Sequence, residues 1–360
     1  MKSIFALISG IAIVILFAAS SNAFALTPDI ASIAATTLGN INEFIMSDTT
    51  SKGSRNKPDS VSNLGLIRKQ NVENVDRMLF NRKLFPLGRR RVVAYAGMQY
   101  DAQRKPEIKE IISKLKDLGV NCYSYLIDSH SKEELSSLPQ FCALASKSGI
   151  EVWVVLVPPS EEPGHPGTPD TSRYPPYGLN YVKWAKDIST ISKSHPNLTL
   201  LMIDDFIYNL NLFTPTYTKE VFAALKRENH DFLLGMTIYE DQLKMKKFDL
   251  KTYSPYIGAV EWGYQHNAHL SPNYGISATS LPVSINNFRK AFPNSVLIPC
   301  LYFTPHSSWS RKATVPYLKE AMTLAYQDAG VVLIFRTPAS GTVEYNLVKS
   351  FCHEHHASHK

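Results

Sequence analysis

VVAYAGMQYDAQRKPEIKEIISKLKDLGVNCYSYLID, residues 92–128, holds the unit that decides the fold. VVAYAG (92–97) is a continuous apolar run of strand length. KPEIKEIISKLKDLG (105–119) has the spacing of an amphipathic helix and closes on Gly119. VNCYSYLID (120–128) is a second apolar run, so the stretch reads strand, helix, strand.

The alternation then continues. A helix over 132–149, again ended by glycine, leads to a third strand, IEVWVVLVP (150–158). A proline- and glycine-rich loop (158–178) opens into the helix LNYVKWAKDISTISKSH (179–195) and a fourth strand, LTLLMIDD (198–205). FLLGMTIY (232–239), IGAVEW (257–262), SVLIPCLYF (295–303) and GVVLIFR (330–336) complete the strands. Helices are expected over 217–229, 241–252, 280–291, 311–328 and 342–352. Continuous apolar strands separated by amphipathic helices indicate a parallel sheet covered by helices. Eight such units within about 260 residues match a closed (β/α)₈ TIM barrel, here spanning 91–352. An open doubly wound sheet is the alternative. Against it, no Gly-rich phosphate loop follows the first strand.

In this barrel the working residues sit at the carboxyl ends of the strands. There the sequence places Tyr100, Asp101, Asp128, Asp204, Asp205, Tyr239, Glu240 and Asp241. Glu261, Trp262 and Tyr264 follow, then Tyr302, His306 and Trp309, and finally Arg336. Aromatic faces stack on the apolar faces of sugars, while carboxylates bind hydroxyls or move protons. Rims are polar and aromatic in any barrel, so one Asp or Tyr there says little. The adjacent pair Asp204-Asp205 says more, because two carboxylates at the end of a buried strand repel each other and lose hydration. Such pairing pushes pKa values apart, leaving one acid and one base. Glycoside hydrolysis uses two carboxyl groups in that way. Glu261 and Glu240 are the cross-strand candidates to pair with Asp205. The structural alternative makes the aspartates a helix N-cap, or partners of Arg336 or Arg104.

LLMIDDFIYN (200–209) resembles the fourth-strand ending of the O-GlcNAcase-type β-N-acetylglucosaminidases: apolar residues, Asp-Asp, an apolar residue, then Asn. That resemblance implies a substrate-assisted mechanism, in which the sugar's own acetamide attacks the anomeric carbon. By it, Asp204 would orient and polarise the acetamide and Asp205 would be the general acid/base. Over most of 91–338 the chain also resembles bacterial barrel proteins without an established activity. These carry Trp-Ala before strand four, then IDDF and FTPxY, here Trp184-Ala185, Ile203 to Phe206 and Phe213 to Tyr217.

The ends of the chain differ from this core. MKSIFALISGIAIVILFAASSNAFA (1–25) reads as a secretory signal cleaved after Ala25, with an uncleaved membrane anchor as the alternative. Residues 26–90 form an N-terminal extension. Short helices are expected near 28–46 and 70–82, and SDTTSKGSRNKPDSVSN (47–63) reads as linker. The tail CHEHHASHK carries His353, His355, His356 and His359 and reads as a mobile polar end at 353–360. Removing Lys2 takes the formal charge from +7 to +6. The positive charge is dispersed, with no basic stripe interleaved with aromatics, which argues against nucleic acid. Cys122, Cys142, Cys300 and Cys352 lack metal-type spacing and are expected as buried free thiols. Thr214 is expected to cap a helix with Pro215 at its first position.

The expectation is therefore a secreted or periplasmic, monomeric, glycoside hydrolase-like barrel. It would act on a glycan or glycoconjugate with no metal, no cofactor and no membrane span after signal cleavage. A non-catalytic carbohydrate- or envelope-binding barrel is the alternative from another class, and a metal-assisted hydrolase is the third reading.

Overall fold

The computed structural model describes residues 90–95, 99–128, 131–161, 175–245, 249–265, 275–304 and 312–356. The signal and the N-terminal extension to residue 89, most of the loop over 158–178, His306 and Trp309 lie outside the described residues.

Eight parallel strands close into a barrel in chain order, with the last pairing back onto the first. They are β1 (Arg91–Tyr95), β2 (Cys122–Ile127), β3 (Glu151–Leu156) and β4 (Leu198–Ile203), then β5 (Leu233–Tyr239), β6 (Ala259–Gly263), β7 (Val296–Tyr302) and β8 (Val331–Phe335). Among the described residues, seven α-helices cover the sheet. These are α1 (Ile108–Leu118), α2 (Ser131–Lys147), α3 (Tyr181–Ser194), α4 (Pro215–Glu228), α5 (Leu281–Ala291), α6 (Val315–Asp328) and α7 (Val343–His356). Local chemistry sets their ends. Gly119 takes the left-handed conformation that closes α1 (φ 79°). The Thr214 side chain accepts from the N–H of Tyr217 with Pro215 in the first turn of α4, as its sequence foretells.

Two expectations are corrected. No α-helix joins β5 to β6 among the described residues; Gln242–Lys244 and Leu250–Thr252 are short 3₁₀ turns. Leu243, Met245, Phe248 and Leu250 do not fall on one 3.6-residue stripe, so a helix here would have no continuous apolar face to bury. At the other end, α7 runs on through His356 instead of giving way to a loose tail. His355 lies against the rings of Tyr326 and Phe351, with centroids at 4.8 and 4.2 Å.

Each strand divides its side chains between two cores. Val93 and Tyr95, Leu200 and Met202, Ala259, and Ile298 and Cys300 fill the barrel lumen. Their neighbours Val92 and Ala94, Leu201 and Ile203, Val260 and Trp262, and Leu297 and Leu301 pack outward under the helices. This is the period of two expected of extended chain. Gly235 serves the lumen layer: a Cβ there would lie 2.8 Å from Cε of Met202. All four cysteines are free and buried. No helix among the described residues is long and apolar enough to cross a membrane.

Candidate active site

The alternation that fills the lumen also decides which rim residues reach its mouth. Asp204 follows Leu200 and Met202 at the same parity, one step beyond the end of β4. Its N–H still donates to the carbonyl of Leu156 on β3 (3.0 Å), so it continues the ladder. Glu261 follows Ala259 on β6. The β5 residue between them is Thr237, which is in register with Glu261 and hydrogen-bonds the Asp204 side chain. Asp204, Thr237 and Glu261 thus stand at one level of the barrel on three successive strands.

Asp205 turns the chain. It adopts a left-handed backbone (φ 42°, ψ 36°), and its N–H donates to Oδ1 of Asp204 at 2.9 Å. Oδ1 of Asp205 accepts the Tyr239 hydroxyl proton at 2.7 Å. Asn209, the last residue of the LLMIDDFIYN stretch, holds this turn from below. Its amide donates to the Asp205 carbonyl (2.9 Å) and to Ser160 Oγ (2.8 Å), and its Oδ1 accepts from the Ser160 N–H (3.2 Å). Asp205 makes no side-chain cap on the turn that follows. Among the described residues neither Arg336 nor Arg104 forms an ion pair with either aspartate. Both structural alternatives for the pair are therefore unmet.

Burial and mutual repulsion separate the protonation of these carboxyls. Glu261 is pushed up to about 8, first by desolvation and then by the charge of Asp204; a hydrogen bond from Cys300 opposes the rise. Asp204 is pushed up to about 6, first by desolvation and then by Asp205, with the Asp205 N–H and Thr237 opposing. Glu261 therefore holds its proton more tightly than Asp204 does. The Cys300 thiol and the Tyr95 phenol beside them are driven well above their ordinary values, burial being the largest cause for each. Neither loses its proton at neutral pH. Aromatic rings wall the mouth: Tyr95 stacks on Phe335 with centroids 5.1 Å apart, and Tyr302 meets the same ring edge-on.

Of the residues the sequence proposed for the site, the structure brings together Asp204, Asp205, Glu261, Tyr239 and Tyr302. It sends others elsewhere. Trp262, next to Glu261, must face outward; it is fully buried, stacks on Phe288 of α5 at 4.2 Å and donates to Ser284 Oγ at 3.1 Å. The Glu240 carboxylate accepts from that same Ser284 hydroxyl, behind the barrel wall. Tyr264 is buried against Ser280 and the Ala278 carbonyl. Tyr100 donates to the fully buried Glu134, whose other oxygen accepts the N–H of Asp128 at 2.6 Å. Asp128 itself stays within electrostatic reach of Tyr95. Asp101 caps its own turn through the N–H groups of Gln103 and Lys105. Arg336 is exposed at the end of β8 with a left-handed backbone (φ 55°). The sequence reading missed Tyr95, Thr237, Cys300 and Glu134. Strand parity would have found the first three; Glu134 lies on a helix and leaves no strand signal.

No family model and no curated protein matches the sequence. Among solved structures, the chain is similar to an exo-β-1,4-mannosidase from Opitutaceae bacterium strain TAV5, with a TM-score of 0.52 and 14% identity. That match covers 72% of this chain and 55% of the other. It is also similar to a GH99 endo-α-mannosidase from Bacteroides thetaiotaomicron, with a TM-score of 0.50 and 14% identity, covering 74% and 97%. A β-glucuronidase from an uncultured Clostridium is matched at a TM-score of 0.49 and 11% identity over 74% of this chain, which spans about half (50%) of that protein's length. The likeness to the two mannosidases is one of fold, the (β/α)₈ barrel.

Proposed function

We propose that the protein is a hydrolase acting on a glycan at the carboxyl-terminal mouth of its barrel. The observation that carries this reading is the trio Asp204, Asp205 and Glu261, largely withdrawn from water with no cationic partner among the described residues, in which Glu261 is pushed up further than Asp204. Pairs of carboxyls pushed apart in this way supply an acid and a base at one pH. In the reading, Glu261 gives its proton to the departing glycosidic oxygen. Asp204, ionised, either attacks the anomeric carbon or takes a proton from the attacking water, and Asp205 braces Tyr239 against the substrate. The sequence supports export as the setting for such an activity, through the segment at 1–25.

A second reading keeps the same mouth and rests on the left-handed turn at Asp205. The turn stands Asp205 beside Asp204 instead of on the opposite face of the strand. Here Asp205 would be the general acid/base and Asp204 the polariser of a substrate acetamide.

A panel of aryl glycosides and aryl N-acetylglucosaminides separates these readings. In the first, Glu261→Gln lowers turnover of substrates with poor leaving groups by roughly 10²–10⁴-fold and spares those with acidic phenols, as loss of a general acid requires. In the second, Asp205→Asn has that effect and only N-acetylated sugars are cleaved. If the wild type cleaves none of the panel yet binds polysaccharide, a binding barrel replaces both.

A further inference from the structure

Beyond the carboxylates, the mouth continues onto an aromatic ring that stands open to solvent. Tyr208 lies in the 3₁₀ turn Phe206–Asn209, directly after the left-handed Asp205. It is 57% exposed, in contrast to the buried rings of the core. Its ring sits 6.0 Å from that of Tyr239, tilted by 44°, and Tyr239 is the residue that donates to Asp205. One side chain therefore separates the open face of Tyr208 from the candidate catalytic carboxylates.

Gln242 provides a second, independent observation at the same place. It is 1% exposed, and its Oε1 accepts the Tyr239 N–H at 2.9 Å, which fixes the carboxamide. The opposite end, Nε2, reaches only the Tyr208 hydroxyl and makes no regular hydrogen bond with it. A buried donor so weakly met is unfavourable, and native structures rarely keep one without cause. An incoming oxygen would satisfy it. The charged groups facing the Tyr208 hydroxyl are Asp241 and Asp205, both able to accept hydroxyl protons and both repelling an anion.

We propose that Tyr208 and Gln242 form a sugar subsite beside the carboxylates, with the Tyr208 ring stacking on the apolar face of a neutral pyranose and Gln242 Nε2 donating to one of its hydroxyl oxygens. The ligand class rests on the glycan-hydrolase reading. The geometry of the subsite does not.

The test is calorimetric titration of the full chain with hexasaccharides of β-1,4-linked glucose, mannose, xylose and N-acetylglucosamine, and with hexagalacturonate as the acidic arm. At least one neutral hexasaccharide should bind. Tyr208→Ala should weaken it about 5- to 10-fold, within the range of an aromatic stacking contact, and Tyr208→Trp should restore it. Gln242→Glu retains the acceptor for Tyr239 while removing the donor, and should weaken binding by a similar factor. Tyr208 is exposed, so its loss cannot be assigned to unfolding; Gln242 is buried, so the Gln242→Glu titration is read as loss of the donor only where its thermal melt matches the wild type. Binding that depends on Tyr208 without hydrolysis of any arm supports the subsite and overturns the hydrolase. Hydrolysis with the wild-type KM in Tyr208→Ala overturns the subsite and leaves the hydrolase standing. Preference for the acidic arm, or failure of every neutral arm to bind, overturns the subsite.

Discussion

Replacing Glu261 with Gln tests the mouth of the barrel without any substrate. Burial, and then the charge of Asp204, raises this carboxyl from its ordinary 4.5 to about 8. At 1.36 kcal/mol per tenfold change, that gap disfavours the ionised form by roughly 5 kcal/mol. The folded chain thus holds the proton more tightly than the unfolded chain does. The stability this confers is fully present below pH 4.5 and is lost as the pH rises through about 8. Gln keeps the shape and neutrality of the protonated acid, can still accept from the Cys300 thiol, and cannot ionise. Wild type and variant should therefore melt nearly together at pH 5 and diverge progressively between pH 5 and about 8, the variant being the more stable and the gap levelling off above that. Relaxation and water entry reduce the full figure, so about 2–3 kcal/mol is expected at pH 9, or roughly 5–10 °C in Tm for a domain of this size. Thermal unfolding followed by circular dichroism at pH 5, 7 and 9 reads the difference. Asp204→Asn is the companion: with the second cause removed, the decline of stability should finish at lower pH than in the wild type. If Glu261→Gln follows the wild-type pH dependence throughout, Glu261 is solvated and the argument for a buried acid–base pair collapses.

Two further predictions concern residues outside the mouth. Trp262→Ala removes a fully buried ring packed on Phe288 and should cost about 3–5 kcal/mol in urea unfolding; a loss under 1 kcal/mol would mean that the ring does not support the helix layer. Arg91→Ala strands Glu151 at the opposite end of the lumen and should cost about 3–5 kcal/mol at neutral pH. Adding Glu151→Gln to that variant should recover part of the loss by removing the stranded charge.

The barrel was legible because its signals are local and repeated. Apolar runs, amphipathic spacings and closing glycines locate all eight strands to within two residues of their observed ends. The segment between β5 and β6 failed because its length suggested a helix while its apolar residues lacked a common stripe. In the site, residue type alone misled. Glu261 and Trp262 are adjacent on a strand and cannot both face the mouth, so naming both contradicted the period of two. Continuing that period from Ala259 selects Glu261, and from Val93 and Ile298 it selects Tyr95 and Cys300. Glu240 lies past the end of β5, where parity lapses; its partner Ser284 comes from a helix 44 residues on. The left-handed turn at Asp205 is a tertiary outcome. It is held by Asn209 and Ser160 and has no sequence marker of its own.

The two ends of the lumen treat buried carboxylates in opposite ways, and the contrast bears on why Asp204 and Asp205 are there. At the amino-terminal end, Glu151 is fully matched. Arg91 Nε donates at 2.6 Å, and Trp153 Nε1 and Thr199 Oγ1 donate to its other oxygen at 3.0 and 2.6 Å. At the carboxyl-terminal end, three carboxyls meet hydroxyls, a thiol and a backbone N–H, but no lysine or arginine among the described residues. For Asp204 and Glu261 the desolvation is left standing, and it emerges as raised protonation instead of as an ion pair. This fold can evidently neutralise a buried acid, since it does so at the other end of the same lumen. A purely structural role at the mouth could be filled by an apolar side chain such as Met202 or Leu200, which occupy the same face of the same strand one and two layers below. Retaining uncompensated acids in their place costs stability, as Glu261→Gln is expected to reveal. A cost of that kind is concentrated where proton transfer is performed. The raised protonation of Asp204 and Glu261 is what the proposed acid–base role of the mouth requires.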